Sequence, residues 1–325
     1  MSSVKAILVR TFGGPEVLQP AEVDDPVVTP GRVVVRIQAA GVNPVEAYIR
    51  TGSYARLPPL PWVPGFDGAG IIEAVGSSVT RFQPGDCVYL ATLGSWNGTY
   101  AERTLCDVEH VHPLPPTVSF PQGAAMGVPA VTAYRALFGR AHARRGETVL
   151  VHGASGAVGL CAVQLAKAAG LTVLGTAGTD DGLALVRRMG AAHVFDHRDD
   201  GRADLIRAAT DGRGVDVIIE MLASANLDRD LGLLAPRGRV VIVGSRGRIE
   251  IDPRQTMGKD LSVLGMTLWN VSPEEMSQIH ERLGQALTEG TLSPVVGREF
   301  PLEEAAEAHR RLMNSPAQGK MVLAV

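Results

Sequence analysis

The 325-residue sequence has little of what marks disulfide-rich, metal-rich or membrane-spanning proteins. It has three cysteines, Cys87, Cys106 and Cys161. Their number and wide spacing form neither a disulfide framework nor a metal cluster, and they suit a reducing cytosol. No apolar run approaches the roughly 20 residues that span a membrane. The apolar stretch 6–9 ends at Arg10 and is too short for a signal-peptide core. A soluble, cytoplasmic protein is therefore predicted.

The chain also lacks an excess of positive charge. It has 31 Lys and Arg against 34 Asp and Glu, a net charge of −3, without a clustered basic stripe. This balance argues against nucleic acid or an anionic membrane as the main partner. No serine–histidine–acid or paired-carboxylate pattern is visible that would support hydrolysis. The length allows two domains of ordinary size.

A strand, a small-residue turn and a helix follow one another over residues 147–169. Thr148–Val151 is aliphatic and β-branched, as in a strand buried on both faces. The usual dinucleotide pattern Gly-x-Gly-x-x-Gly is met by Ala154, Gly156 and Gly159, and alanine fits the first position if it needs no positive φ. The stretch predicts a pyrophosphate site at a helix N-terminus, and an ordinary βα turn without nucleotide is the alternative.

Two kinds of periodicity divide the chain. Up to about residue 120, proline- and glycine-rich turns separate short strands at 4–10, 32–40, 68–75, 86–91 and 99–104, around one helix at 44–51, which predicts a small irregular barrel. Residues 122–137 are helical in composition. Strands then alternate with helices from residue 148 to 266, which predicts a doubly wound parallel sheet. The last strand, 261–266, is expected at the sheet edge, where it would pair two subunits in a homodimer. Beyond residue 268 we expect a helix, a strand, a helix and a last strand.

Several long phrases carry a family resemblance. They include residues 12–18, 41–50, 152–160, 174–179, 220–223, 243–247 and 319–321. The chain resembles the zinc-lacking quinone oxidoreductases of the medium-chain dehydrogenase/reductases, most closely the zeta-crystallin type. The resemblance implies an α/β fold with a Rossmann dinucleotide-binding domain (122–267) and a GroES-like β-barrel catalytic domain (1–121 and 268–325). It also implies an NADPH-dependent quinone reductase that works in the cleft between these domains and forms a homodimer or tetramer.

The same resemblance assigns site residues. The cofactor positions that match the family are Tyr48, Ser155, Gly156, Ala157, Val158, Gly178, His197, Asn226, Val243, Gly244, Ser245, Arg246, Met266, Thr267 and Leu268. Ala157 departs from the family, which has a second glycine there, and is expected to be tolerated if the residue is already helical. Asn43 and Tyr48 are predicted catalytic residues that orient the nicotinamide and the quinone. The alternative is that Tyr48 is a true general acid.

No metal is expected at the reacting centre. Zinc-dependent relatives have a cysteine at the position of Asn43 and a His–Glu pair at the positions of Phe66 and Asp67. Oxidation of an alcohol needs a stabilised alkoxide, which a metal provides, whereas a quinone is already electron-poor. The residues therefore favour reduction of an activated acceptor. Asp67 is predicted to make a turn, and Lys320 only to orient the last strand.

The end of the second Rossmann strand favours NADPH. An NAD enzyme usually has Asp or Glu there, whereas residues 174–178 are small and neutral. His197 and Arg198 are candidate cationic donors to a 2′-phosphate, or else a solvated loop pair. Arg246 is a candidate phosphate partner or an exposed loop charge, and His152 is predicted to be structural.

Three functions follow as hypotheses. The first is NADPH-dependent quinone reduction, with a small-molecule quinone as the partner. The second is reduction of the C=C bond of an enone or 2-alkenal. The third, from a different class, is a non-catalytic role as an NADPH-regulated RNA-binding or crystallin-like structural protein.

Overall fold

The computed structural model describes residues 3–325, which form two compact units. The first unit comprises the chain up to Val128 with residues 280–315 and 319–325, and the second comprises residues 129–279 and 316–318. Within residues 3–325, no helix combines the length and apolar composition needed to cross a membrane.

The first unit is built on antiparallel strands, with the following elements in chain order: β1 (Ser3–Leu8), β2 (Gln19–Asp24), β3 (Arg32–Val42), α1 (Pro44–Arg50), β4 (Asp67–Val75), β5 (Cys87–Ala91), β6 (Arg103–Asp107), β7 (Val111–Pro113) and α2 (Phe120–Gly123). The chain re-enters this unit at His280 and adds β14 (Val296–Pro301), α10 (Ala305–Asn314) and β15 (Lys320–Ala324). The larger sheet has the order β14-β15-β3-β4-β5-β7, with β6 paired to β3, and β1 and β2 form a separate pair.

The second unit is a six-stranded parallel sheet with helices between its strands. Its elements are α3 (Gly127–Tyr134), which begins in the first unit, a π-helix (Arg135–Arg140), β8 (Thr148–Val151), α4 (Ala157–Ala168), β9 (Thr172–Ala177), α5 (Asp180–Met189), β10 (His193–Asp196), α6 (Arg202–Ala208), β11 (Val215–Glu220), α7 (Ala223–Leu233), β12 (Leu234–Ile242), α8 (Arg254–Met257), β13 (Ser262–Gly265) and the N-terminal part of α9 (Pro273–Thr288). The order β10-β9-β8-β11-β12-β13 is the doubly wound arrangement.

The predicted fold class is confirmed in both units. β8 and β11 occupy the predicted residues, and apolar residues of both strands are fully buried, as expected for central strands of a parallel sheet. Helix α5 shows why its boundaries were predictable. The Thr179 side chain accepts a hydrogen bond from the Gly182 N–H at its start, and Gly190 ends it with φ of 118°.

Two local predictions were wrong, and one strand was not predicted. β6 was expected at 99–104 but lies at Arg103–Asp107, because the N–H groups of Thr99 and Tyr100 bond to the carbonyls of Gly65 and Pro64 and leave the ladder. β2 was not predicted, although Ala21 and Val23 alternate with the exposed Glu22 and Asp24 over four residues of this short strand. The helix expected at 122–137 is divided among α2, α3 and the π-helix.

The unit boundaries also differ from the expected 121/122 and 267/268. Helix α2 lies in the first unit. There a Cβ on Gly123 would contact Ala69 and Leu114, and the Gln122 side chain donates to the Pro294 carbonyl at 3.3 Å. At the other boundary the division falls within α9, between Ile279 and His280.

Candidate active site

The turn after β8 has the backbone geometry that the glycine pattern predicts. Gly153 has a φ of +56° and takes the left-handed conformation, whereas Ala154 has no positive φ. The Ala154 N–H donates to the Thr176 carbonyl at 2.7 Å. A Cβ on Gly159 would lie 2.6 Å from the Ala154 Cα, so the helix can approach the turn only because residue 159 is glycine. The substitution at the first pattern position is therefore compatible with the turn.

The N-terminus of α4 fits a pyrophosphate. Gly156 is its N-cap residue and, as a glycine, makes no side-chain hydrogen bond to the first N–H groups of the helix. Ala157 is already helical, as its tolerance requires, and Val158 follows it in the first turn. The Ser155 hydroxyl group is buried and donates to the Ala317 carbonyl at 2.7 Å, which fixes the residue before the helix.

His197 and Arg198 differ in their surroundings. A Cβ on Gly178 would lie 2.4 Å from Nε2 of His197, so the imidazole lies beside the end of β9 in space that a larger residue at position 178 would fill. Burial lowers the pKa of His197, and a neutral imidazole would donate through its N–H. The Arg198 guanidinium already bonds both carboxylate oxygens of Asp196 and lowers the pKa of that carboxyl to about 2. Of the two predicted cationic donors, Arg198 thus has an anionic partner already.

The loop after β12 is tied to the end of β11. The N–H groups of Val243 and Gly244 both donate to the Glu220 carbonyl, at 2.9 and 3.3 Å. The Asn226 side chain donates to Oε1 of Glu220 at 3.2 Å. Ser245 and Arg246 are exposed, and the Arg246 N–H donates to the Ser224 hydroxyl group. These predicted cofactor residues therefore lie around one strand end.

The remaining predicted cofactor residues of this unit follow β13. Met266, Thr267 and Leu268 are half-buried. The Thr267 side chain accepts from the Trp269 N–H, and the Thr267 carbonyl accepts from Arg135 at 2.7 Å. Arg135 in turn is paired with Glu275, so the backbone of this segment is held by a buried guanidinium.

Three buried ionisable groups meet at the carboxyl ends of β8 and β11. Nε2 of His152 lies 2.9 Å from Oδ1 of Asp230 and 3.6 Å from Oε2 of Glu220. These three side-chain atoms lie within 4.8 Å of one another. Burial lowers the pKa of His152, but the hydrogen bond to Asp230 and the two negative charges outweigh it and raise the pKa overall. The sequence had suggested only a structural histidine and no carboxylate pair, because its partners lie 68 and 78 residues away along the chain.

In the first unit, Asn43 is fully hydrogen-bonded within the protein. It is 2% exposed and is the N-cap residue of α1. Its Nδ2 donates to Glu46 at 3.1 Å and to Asp67 at 2.9 Å, and its Oδ1 accepts from Lys320. Both amide hydrogens are therefore in use. The geometry favours a positioning role for Asn43, since it offers no spare donor to a ligand.

Asp67 and Lys320 form a buried ion pair, which corrects two predictions. Asp67 is 0% exposed and begins β4 instead of making a turn. Its Oδ2 lies 2.7 Å from the Lys320 ammonium group, and its Oδ1 accepts from the Val128 N–H at 2.7 Å. Lys320 is 2% exposed, and its ammonium also bonds Asn43. Lys320 therefore does more than orient β15, because it supplies positive charge beside Asn43.

A second buried carboxyl extends this cluster. Glu46 accepts from the Asn43 N–H, the Asn43 side chain, the Phe66 N–H and the Tyr100 hydroxyl group, the last at 2.7 Å. Burial raises the pKa of Glu46 despite the opposing effect of Lys320. Tyr100 also lies 3.2 Å from Nε2 of His309. Tyr100 therefore helps to hold Glu46, the residue that completes the capping box of α1.

Tyr48 differs from these residues. It lies in the second half of α1 and is half-buried. Within residues 3–325, its hydroxyl group makes no hydrogen bond, so it can donate one to a ligand. The two predicted catalytic residues therefore have different surroundings, one held in an internal network and one with a spare donor.

Known proteins place the chain in a family. Residues 29–116 match the family model described as "Alcohol dehydrogenase GroES-like domain", and residues 157–285 match "Zinc-binding dehydrogenase". The chain is 48% identical to the quinone oxidoreductase of Homo sapiens over 322 residues, which cover 98% of this chain and 97% of that protein. The chain belongs to the quinone oxidoreductases of the medium-chain dehydrogenase/reductase family.

Solved structures of related oxidoreductases have the same fold as this chain. An NAD-dependent alcohol dehydrogenase superposes with a TM-score of 0.90 at 32% identity and covers 99% of both chains. The mycobacterial protein Rv1454c complexed with NADPH superposes with a TM-score of 0.88 at 30% identity, over 99% of this chain and 100% of that chain. The family assignment and the oxidoreductase class predicted from the sequence are confirmed. A nicotinamide cofactor is supported, whereas the predicted roles of individual site residues stay predictions.

Proposed function

We propose that this protein reduces quinones with NADPH as the electron donor. The observation that carries the proposal is the 48% identity to quinone oxidoreductases over nearly the full chain. The turn between β8 and α4 supports it, because its glycines and helix N-terminus fit a pyrophosphate.

The residues divide the task between binding and orientation. When bound, the reduced nicotinamide supplies the hydride or electrons. Gly156, Ala157 and Val158 would hold the pyrophosphate through backbone N–H groups. Tyr48 would donate a hydrogen bond to a carbonyl oxygen of the ligand, and Asn43 would keep the start of α1 in place. Since a quinone is an electron-poor acceptor, orientation and neutral donors suffice without a Lewis acid.

The preference for NADPH over NADH is part of the proposal. It rests on the absence of an acidic side chain at residues 174–178 and on His197 beside Gly178. A charge-assisted contact to the 2′-phosphate contributes about 1.5–3 kcal/mol, so we expect a roughly tenfold or greater preference in kcat/KM. Equal kcat/KM values for the two cofactors would contradict this part alone.

Acceptor classes test the function itself. Purified protein and NADPH are assayed with a panel of quinones and, in parallel, with enones and 2-alkenals. We expect faster turnover with quinones, and turnover confined to alkenals would favour the C=C reductase. A chelator in the assay should leave the rate unchanged. An RNA-binding measurement at physiological salt, with and without NADPH, tests the non-catalytic alternative. We expect no RNA binding in either condition.

Assembly and location complete the proposal. β13 lies at the edge of the parallel sheet, and its Val263 is 40% exposed. An edge strand with unpaired backbone groups favours pairing with a second copy, so we propose a homodimer joined through this strand. We also propose that the protein works in the cytoplasm as a relative of the zeta-crystallin type.

A further inference from the structure

A second role for the buried cluster of the second unit emerges from its hydrogen bonds. Glu220 is 0% exposed, and its Oε1 accepts from the Leu222 N–H and from the Asn226 side chain. Leu222 and Asn226 flank the start of α7, beside the loop of Val243 and Gly244. One carboxyl group therefore fixes the side chain of Asn226, a predicted cofactor residue, and the entry to α7.

The second oxygen of the Glu220 carboxyl group, Oε2, lacks a hydrogen-bond donor among residues 3–325. Oε2 of Glu220 and Oδ2 of Asp230 are both buried and have no hydrogen-bond donor within residues 3–325. Unpaired buried carboxylate oxygens are costly. The side chain of His152 lies between these residues and can supply at most one positive charge for two carboxylates. Two ionised carboxylates would therefore leave a net negative charge in the interior.

A proton on Oε2 of Glu220 removes this conflict. The acid would then point its O–H toward Asp230, while Oε1 remains an acceptor for Leu222 and Asn226. We propose that Glu220 is a positioning residue of the cofactor site that works as a neutral, protonated acid, so that nucleotide affinity falls when it ionises. This inference rests on the proposed use of NADPH.

Ionisation weakens binding for two physical reasons. It sets two adjacent buried carboxylates against each other, which displaces α7 and with it Asn226. It also adds negative charge near a site for an anionic nucleotide. Burial and the neighbouring Asp230 raise the pKa of Glu220 to about 7, although His152 opposes this. The charge of Arg202 acts on His152, and the charge of His152 acts on His197, so these residues belong to the same electrostatic group.

Two substitutions by residues of similar size test whether Glu220 acts as a neutral hydrogen-bonding acid or only fills space. Glu220→Gln keeps an acceptor for Leu222 and Asn226 and offers an N–H group toward Asp230, as the protonated acid does. Glu220→Leu fills the space without an acceptor. We expect Glu220→Gln to bind NADPH within about threefold of wild type at pH 6, and Glu220→Leu to bind roughly tenfold more weakly, the effect of losing about one neutral hydrogen bond.

The test is a fluorescence titration of NADPH at a series of pH values from 6 to 8.5. Wild-type affinity should fall as the pH rises through about 7, and Glu220→Gln should lack this loss. The Gln variant also corrects for ionisation of the phosphate of NADPH itself, which is the same in both proteins. Identical pH profiles of wild type and Glu220→Gln, or wild-type affinity in Glu220→Leu, would overturn the inference.

Urea unfolding without nucleotide distinguishes failure of the inference from failure of the proposed function. A carboxyl whose pKa is raised on folding loses stability as the pH rises from its unfolded value toward its folded value. Wild type should therefore lose stability relative to Glu220→Gln between about pH 4.5 and 7. If this difference is seen but NADPH does not bind wild type, the protonated acid stands and the cofactor proposal is wrong. If this difference in stability is absent, Glu220 is not protonated in the folded protein, whether or not NADPH binds.

Discussion

Replacing Lys320 by methionine tests how the first unit holds its predicted reacting residues. The ammonium group lies 2.7 Å from Oδ2 of Asp67, and neither side chain is more than 2% exposed. Methionine preserves most of the side-chain volume but removes the ammonium group, so that among residues 3–325 the Asp67 carboxylate keeps Val128 and Asn43 as donors. Removal of one partner from a buried ion pair costs about 3–5 kcal/mol. We expect a loss of this size in the free energy of unfolding.

The assay is urea unfolding at pH 7, followed by tryptophan fluorescence, since Trp62 and Trp96 lie in the first unit. Arg32→Met is the matched control, because the ion pair of Arg32 with Asp107 in the same unit is about 40% exposed and should contribute less than about 1 kcal/mol. The double variant Asp67→Asn/Lys320→Met should recover part of the loss, because no charge is then left unpaired. A loss for Lys320→Met no larger than that of the control would refute the ion-pair reasoning.

Three further predictions concern the reaction, acid stability and assembly. Tyr48→Phe should lower kcat by up to about tenfold, the effect of one neutral hydrogen bond, and a loss near a thousandfold in steady-state kinetics would identify Tyr48 as a general acid. Burial lowers the pKa of His280 to about 4 and that of His309 to about 3. Below about pH 6.5 these histidines bind protons in the unfolded chain but not in the folded protein, so the urea concentration at the unfolding midpoint should fall between pH 7 and pH 4. This decrease should be smaller in His309→Gln, which lacks one of the two groups. Sedimentation at micromolar concentration should show a dimer, and a monomer there would contradict pairing through β13.

The fold of the second unit was largely predictable because its signals are local. A buried strand in a parallel sheet is a short apolar run, and glycines and N-cap residues mark its helices, as Thr179 and Gly190 do for α5. The first unit was less predictable. β2 is a short, largely exposed strand that pairs with β1, and the N–H groups of Thr99 and Tyr100 bond to carbonyls that are distant in the sequence. Such pairings depend on tertiary contacts that no local pattern records.

The candidate site was predictable where it depends on backbone and not where it depends on buried charge. The turn at Gly153 and the start of α4 follow from small residues at fixed spacing. The pair of Asp67 with Lys320 joins residues 253 positions apart. Nothing near either residue distinguishes it from an exposed charge. A single sequence shows that an ionisable residue is present, but its burial and its partner appear only in the folded chain.

The most direct test of the central claim is quinone-dependent oxidation of NADPH by protein that has been dialysed against a chelator. We predict that NADPH is consumed in proportion to the quinone reduced, at the rate of the untreated protein, and that little is consumed without an acceptor. Absence of quinone-dependent NADPH oxidation, or activity that is lost on chelation and restored by zinc, would contradict a metal-independent NADPH:quinone reductase.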